Sequence, residues 1–192
     1  MNRWVTTVIF LIMSYNPLEA QTVSIDSFYA PSLGKFRRVA VMTPQSFEPA
    51  YRYPVLYLLH GYDGNHTDWT RRTKLSEYVR GVQLIIVMPD GENSWYVNSP
   101  TDPTMKYEDF LTRDLPAYIR GRYSIDTTRQ AIAGLSMGGY GAIMLTLRHP
   151  DMFKFAGGLS SAITAPRDLQ ERQKSGWSKS LFQRRQEKNL II

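Results

Sequence analysis

Gly134-Leu135-Ser136-Met137-Gly138 is the segment best suited to covalent chemistry in this chain. A serine hydroxyl is a weak nucleophile at its ordinary pKa and needs a backbone that presents it and dipoles that receive the charge it creates. The G-x-S-x-G spacing meets the first need when it follows an apolar strand and opens a helix. The glycines then let a strained turn pass close to neighbouring strands while the serine oxygen stands at the sheet edge. Gln130-Ala131-Ile132-Ala133 reads as that strand, and residues 138–148 as that helix. Gly138, Gly139, Gly141 and Ala142 keep the helix slim where it meets the sheet.

His60-Gly61-Tyr62 is the second candidate, directly after the apolar run 54–59. A backbone N–H from such a loop, paired with the N–H following the nucleophile, makes a site for a developing oxyanion. Here those amides belong to Tyr62 and Met137, each donor being worth about 3 kcal/mol in the transition state. His60 then reads as the residue that orients the loop, a core or surface histidine being the alternative.

The elements that must position these groups follow from periodicity. Residues 22–29 and 35–42 read as two strands of a hairpin turning around Pro31-Ser32-Leu33-Gly34. Residues 54–59, 84–88, 130–133 and 155–159 are continuous apolar runs of strand length, as expected of strands covered on both faces. Between them lie helical stretches at 71–79, 107–122 and 138–148, the second interrupted by Pro116, which should kink or split it. This alternation predicts an α/β fold, a mostly parallel sheet with helices on both faces.

Composition narrows the chemistry. The 192 residues are 43% hydrophobic and 21% charged, which suits one globular domain. There is no cysteine, so disulfides, thiolate metal sites and cysteine nucleophiles are excluded. With no histidine pair at ligand spacing either, neither a metal nor another cofactor is expected. The formal charge is +6, but from Arg167 onward seven basic residues face three acidic ones, whereas residues 21–166 hold fifteen against thirteen. The excess belongs to the tail, so nucleic acid is not an expected partner.

Val55-Leu56-Tyr57-Leu58-Leu59-His60-Gly61-Tyr62, Val87-Met88-Pro89-Asp90-Gly91 and Gly134-Leu135-Ser136-Met137-Gly138-Gly139-Tyr140-Gly141-Ala142, in this order, resemble the esterase family of α/β-hydrolases. That family includes tributyrin-type esterases, feruloyl and acetyl-xylan esterases, S-formylglutathione hydrolases and mycolyltransferases. Arg148-His149-Pro150-Asp151-Met152-Phe153 and Ser160-Ser161-Ala162 resemble its continuation, so the likeness runs over residues 22–164. It is closer to the tributyrin and feruloyl branch, since the formylglutathione branch usually carries a cysteine after the third strand. The resemblance implies an α/β-hydrolase fold, Ser136 as nucleophile, and Tyr62 and Met137 as oxyanion-hole donors. It also implies a small-molecule or glycan-linked ester as substrate, with His60, Gly61, Trp95 and Tyr96 in the substrate site. From the residues alone, Trp95-Tyr96 reads equally as surface packing.

One part of the pattern is missing. The triad of this fold runs Ser, then Asp or Glu, then His along the chain. After Ser136 the only histidine is His149, thirteen residues on. At about 1.5 Å of rise per residue, helix 138–148 would hold it close to ~20 Å away. His60 and His66 precede the nucleophile, and Asp151, Asp168, Glu171 and Glu187 end no recognisable strand. The expectation is an impaired serine esterase missing the C-terminal strands that carry its acid and base. The alternative is a non-catalytic remnant that binds ester-like ligands.

Both ends are read separately. Residues 1–20 resemble a signal peptide: Arg3, an apolar run from Trp4 to Met13, a break at Asn16-Pro17, and cleavage after Ala20. A secreted or periplasmic protein without a stable membrane anchor is expected, an uncleaved N-terminal anchor being the alternative. The domain then spans 21–166, and 167–192 is a basic tail whose Leu169, Trp177, Leu181 and Phe182 could cover strand 155–159. Left open, that strand would be an aggregation-prone edge, so marginal stability is expected.

Overall fold

The computed structural model describes residues 21–164. The readings placed on residues 1–20 and on the tail lie outside them.

Strands β1 (Thr22–Ala30) and β2 (Lys35–Thr43) form the expected antiparallel hairpin. Its turn is the 3₁₀ segment Pro31–Leu33, closed by Gly34 at φ 61°. Strands β3 (Tyr53–Leu59), β4 (Ile85–Pro89), β5 (Ile125–Leu135) and β6 (Phe155–Leu159) complete one sheet of order β1-β2-β4-β3-β5-β6. From β4 to β6 every neighbour is parallel, so the sheet is mixed and mostly parallel, as the apolar runs implied. Strand β5 is longer than expected because a register shift opposite Tyr53 and Val55 admits extra residues. Asp126 closes that irregular stretch by accepting from Thr128 and pairing with Arg129.

Two helical expectations change. The stretch 71–79 is split into α1 (Asp68–Arg72) and α2 (Leu75–Tyr78), with Thr73 extended between them. The Thr73 hydroxyl donates to the Trp69 carbonyl, taking an acceptor that a continuing helix would have used. In 107–122 the adjustment falls ahead of Pro116. After α3 (Tyr107–Asp109), a π-helical turn spans Phe110–Asp114, and the Leu115 N–H donates to Phe110 O. Pro116 then enters in the first turn of α4 (Leu115–Arg122), where a missing N–H costs nothing. Helix α5 (Met137–Arg148) follows β5 directly.

The sheet separates two apolar clusters. The larger gathers Val39, Val55, Tyr57, Val87 and Ile132 with Phe110, Leu115, Tyr140 and Leu145 from the π-helical turn, α4 and α5. The smaller packs Met42, Leu58, Ile86 and Met88 under Leu75 and Trp69. Helices therefore cover both faces. Among the described residues β6 is one edge of the sheet, with Phe155 75% exposed, and β1 is the other.

The order of strands also locates the site. From β3 the chain goes first to β4 on one side and later to β5 on the other. Ligand sites of such sheets lie where the winding reverses, outside the carboxyl ends of the strands. Those ends here are the loop after Leu59 and the turn after Leu135.

Candidate active site

Ser136 occupies the turn between β5 and α5 at φ 54°, ψ −113°, a conformation that L-residues rarely adopt. The packing around it explains both motif glycines. A Cβ on Gly134 would stand 2.4 Å from the Gly138 carbonyl carbon and oxygen. A Cβ on Gly138 would stand 2.5 Å from Leu59 O and 2.6 Å from His60 O. These are backbone atoms and have little room to move. The elbow is also braced by β6 and the segment after it: Ser136 N–H donates to Leu159 O at 2.9 Å, and Ala162 N–H donates to Ser136 O at 3.1 Å. Among the described residues, no side chain hydrogen-bonds to the Ser136 hydroxyl.

The 60–62 loop lies against the elbow, since a Cβ on Gly61 would be 3.7 Å from the Ser136 Cβ. Several contacts hold this loop. The Trp69 indole donates to Leu59 O at 3.2 Å, and the Tyr96 hydroxyl donates to His60 O at 2.9 Å. His60 itself is 2% exposed. Its Nε2 accepts from Gly91 N–H at 2.9 Å, which leaves Nδ1 to carry the proton it donates to Gly61 O at 2.7 Å. Burial holds the imidazole's pKa below its ordinary value, partly offset by the Gly61 carbonyl and the Asp90 carboxylate. A neutral imidazole is also what these two hydrogen bonds require.

A cleft of about 210 Å³ opens at Ser136, walled by Tyr62, Trp69, Thr73 and Leu135, with Asp68 and Arg72 beside them. Its wall is mainly apolar carbon. Ser136, His60, Gly61 and Tyr62 line it together, and Met137, first residue of α5, carries an amide that the helix cannot satisfy internally. Trp95 and Tyr96 are not in its wall. They are buried at 5% and 0% exposure, both with positive φ, and the Tyr96 ring fills the space beside Gly91 and Gly141. Tyr96 thus meets the site through the His60 carbonyl.

The other histidines are engaged elsewhere. His149 ends α5 far from Ser136, with its Nε2 2.8 Å from Glu108 Oε1. His66 is 7% exposed, its Nδ1 3.9 Å from Asp90 Oδ2 and its pKa lowered first of all by burial. Asp151 is exposed in the turn that follows His149, whereas Asp168, Glu171 and Glu187 lie outside the described residues.

Two contributors escape sequence reading: Trp69, which donates to Leu59 O, and Arg37, buried and donating to the Asp90 carbonyl. Arg37 is the one with a usable signal. Strand alternation puts it on the inward face with Val39 and Val41, where a charge is unexpected.

The fold and this strand–serine–helix turn define an α/β-hydrolase. The family described as "Putative esterase" matches residues 30–189, and the chain belongs to that family. Among curated proteins it is 35% identical to a diacylglycerol acyltransferase/mycolyltransferase Ag85A of Mycobacterium gordonae over 57% of this chain and 35% of the relative. It is 30% identical to an acetyl esterase of Caldicellulosiruptor saccharolyticus over 71% of this chain and 55% of the relative. The chain thus spans about a third to a half of these two relatives. Among solved structures, a ferulic acid esterase is 31% identical with TM-score 0.66, covering 74% of this chain and 59% of that one. A fluorophosphonate-binding serine hydrolase of Staphylococcus aureus is 25% identical with TM-score 0.69, covering 77% and 61%. Among the described residues, no helix is long and apolar enough to cross a membrane.

Proposed function

We propose that the chain acts on carboxylic esters through an acyl-enzyme on Ser136, with the amides of Tyr62 and Met137 receiving the oxyanion. The observation that carries this reading is the strained Ser136 conformation against a loop held by Trp69, Tyr96 and His60. Strain that the surroundings maintain at such cost is characteristic of functional turns. In the reaction the Ser136 oxygen attacks the ester carbonyl carbon, and the carbonyl electrons move onto oxygen, facing the two amides. The tetrahedral intermediate expels the alcohol, which leaves with a proton. Water then attacks the acyl-serine, releasing the carboxylic acid and restoring the hydroxyl. The mainly apolar cleft suits a short or aromatic acyl group, on a small-molecule or glycan-linked alcohol. The reading of residues 1–20 as a signal peptide supports a secreted or periplasmic location for this activity.

All three histidines of the sequence lie within the described residues, and none hydrogen-bonds to Ser136. Among the described residues, the serine proton has no side-chain acceptor. Acting without such an acceptor, the oxyanion site and binding would supply about 10³–10⁴ over water. The same observation favours a second reading, in which the cleft binds ester-like ligands without turnover. A fluorophosphonate probe on the full chain, with Ser136→Ala as control, separates the two. Labelling that Ser136→Ala abolishes supports the acyl-enzyme, and equal labelling of both proteins, or none, supports the binding reading.

A further inference from the structure

The hydrogen bonds that hold the 60–62 loop continue past it to a buried arginine. Arg37 is 7% exposed, on the inward face of β2. Burying a guanidinium there is costly unless its donors are used. They are used on one turn. Nη2 donates to the Asp90 carbonyl at 2.9 Å and meets Asp90 Oδ1 at 2.8 Å, while Nη1 pairs with Glu92. Asp90 Oδ1 also accepts from Glu92 N–H at 3.1 Å, so the whole 90–92 turn is set by this contact.

The Asp90 carbonyl and the Gly91 N–H belong to one peptide unit, and in a trans peptide they point in opposite directions. The carbonyl faces Arg37, and the N–H donates to His60 Nε2. His60 passes the polarity on through Nδ1–H to the Gly61 carbonyl. That carbonyl shares its peptide unit with the Tyr62 N–H, which must point away from His60. Every donor and acceptor in this series has the same sense, and the guanidinium at its head is paired with the Asp90 and Glu92 carboxylates. Hydrogen bonds aligned in this way polarise one another.

We propose that Arg37 is a positioning residue for the oxyanion site, acting through a relay of two peptide units and the His60 imidazole that ends at the Tyr62 amide. The proposal rests on the reading of that amide as an oxyanion donor. It assigns to Arg37, two strands away from β3 in the sheet, both the direction and the donor strength of the Tyr62 N–H.

The test is nitrogen-15 NMR of the full chain beside hydrolysis of p-nitrophenyl acetate, for the parent, Arg37→Gln and Arg37→Lys. In the parent, His60 should show a protonated Nδ1 and an unprotonated Nε2. In Arg37→Gln the Gly91 and Tyr62 amide protons should move upfield, and kcat should fall about tenfold with KM unchanged. That is less than the roughly 10²–10³ lost when a donor is removed outright. Arg37→Lys keeps the charge but not the fork, so both readouts should lie in between. If Arg37→Gln does not fold, Arg37→Lys carries the comparison. Unmoved Tyr62 and His60 resonances in a folded variant overturn the relay. Resonances that move without any change in kcat leave the relay standing and overturn the oxyanion role of Tyr62.

Discussion

Replacing Ser136 by glycine should make the protein more stable, and replacing it by alanine should not. At φ 54°, ψ −113° the residue lies where a Cβ is strained, and such strain costs about 1–3 kcal/mol. Serine and alanine both carry that Cβ, so Ser136→Ala removes the hydroxyl and keeps the strain. Ser136→Gly removes both, against a loss of about 0.5–1 kcal/mol from the freer unfolded chain. The difference between the two variants is therefore about 1 kcal/mol in favour of glycine. For a domain of this size that is a rise of about 2–4 °C in Tm. Differential scanning calorimetry of both variants beside the parent, at one pH and one concentration, reads this directly. A glycine variant that melts at or below the alanine variant would refute the claim that the turn is held under strain. The hydroxyl cannot confound the result, since both variants lack it.

Three further outcomes follow from the structure. Gly138→Ala should lose about 1–3 kcal/mol and its fluorophosphonate labelling, because the new methyl meets Leu59 O and His60 O at 2.5–2.6 Å. Gly121→Ala, in helix α4 with nothing within 4 Å of its Cβ, should instead gain up to about 1 kcal/mol; urea melts that rank the two the other way would contradict the packing described. His60 and His66 both have pKa values lowered by burial, so they stay neutral in the fold where the unfolded chain takes up protons. Stability should be fully present above about pH 6.5 and fall below it, by up to about 1.4 kcal/mol per pH unit for His60, with His66 acting in the same direction. Urea midpoints at pH 7.5, 6.5 and 5.5 test this, and a flat or rising trend toward pH 5.5 would exclude it.

Much of the molecule was legible one segment at a time. The hairpin, the three further apolar strands and the strand–serine–helix turn are local patterns: alternation, continuous apolar runs, and glycines at fixed offsets. Where sequence reading failed, it failed over choices that local pattern leaves open. Residues 71–79 have a helical period, and the Thr73 hydroxyl ends the first helix by bonding to Trp69 O. In 107–122 the wide turn is taken before Pro116, not at it. Trp95 and Tyr96 read as pocket or surface aromatics, but they are core, and Tyr96 reaches the site only through a backbone carbonyl.

The sequence by itself determined the α/β class and the glycines that permit the Ser136 turn. Those follow from chain stiffness, side-chain period and residue chemistry, which act over a few positions. What supports the loop facing Ser136 was decided only by tertiary structure. Arg37 and Asp90 are 53 residues apart, and His60 and Tyr96 are 36 apart. They meet because β4 is inserted between β2 and β3, bringing the ends of strands that no local spacing relates into one hydrogen-bonded network.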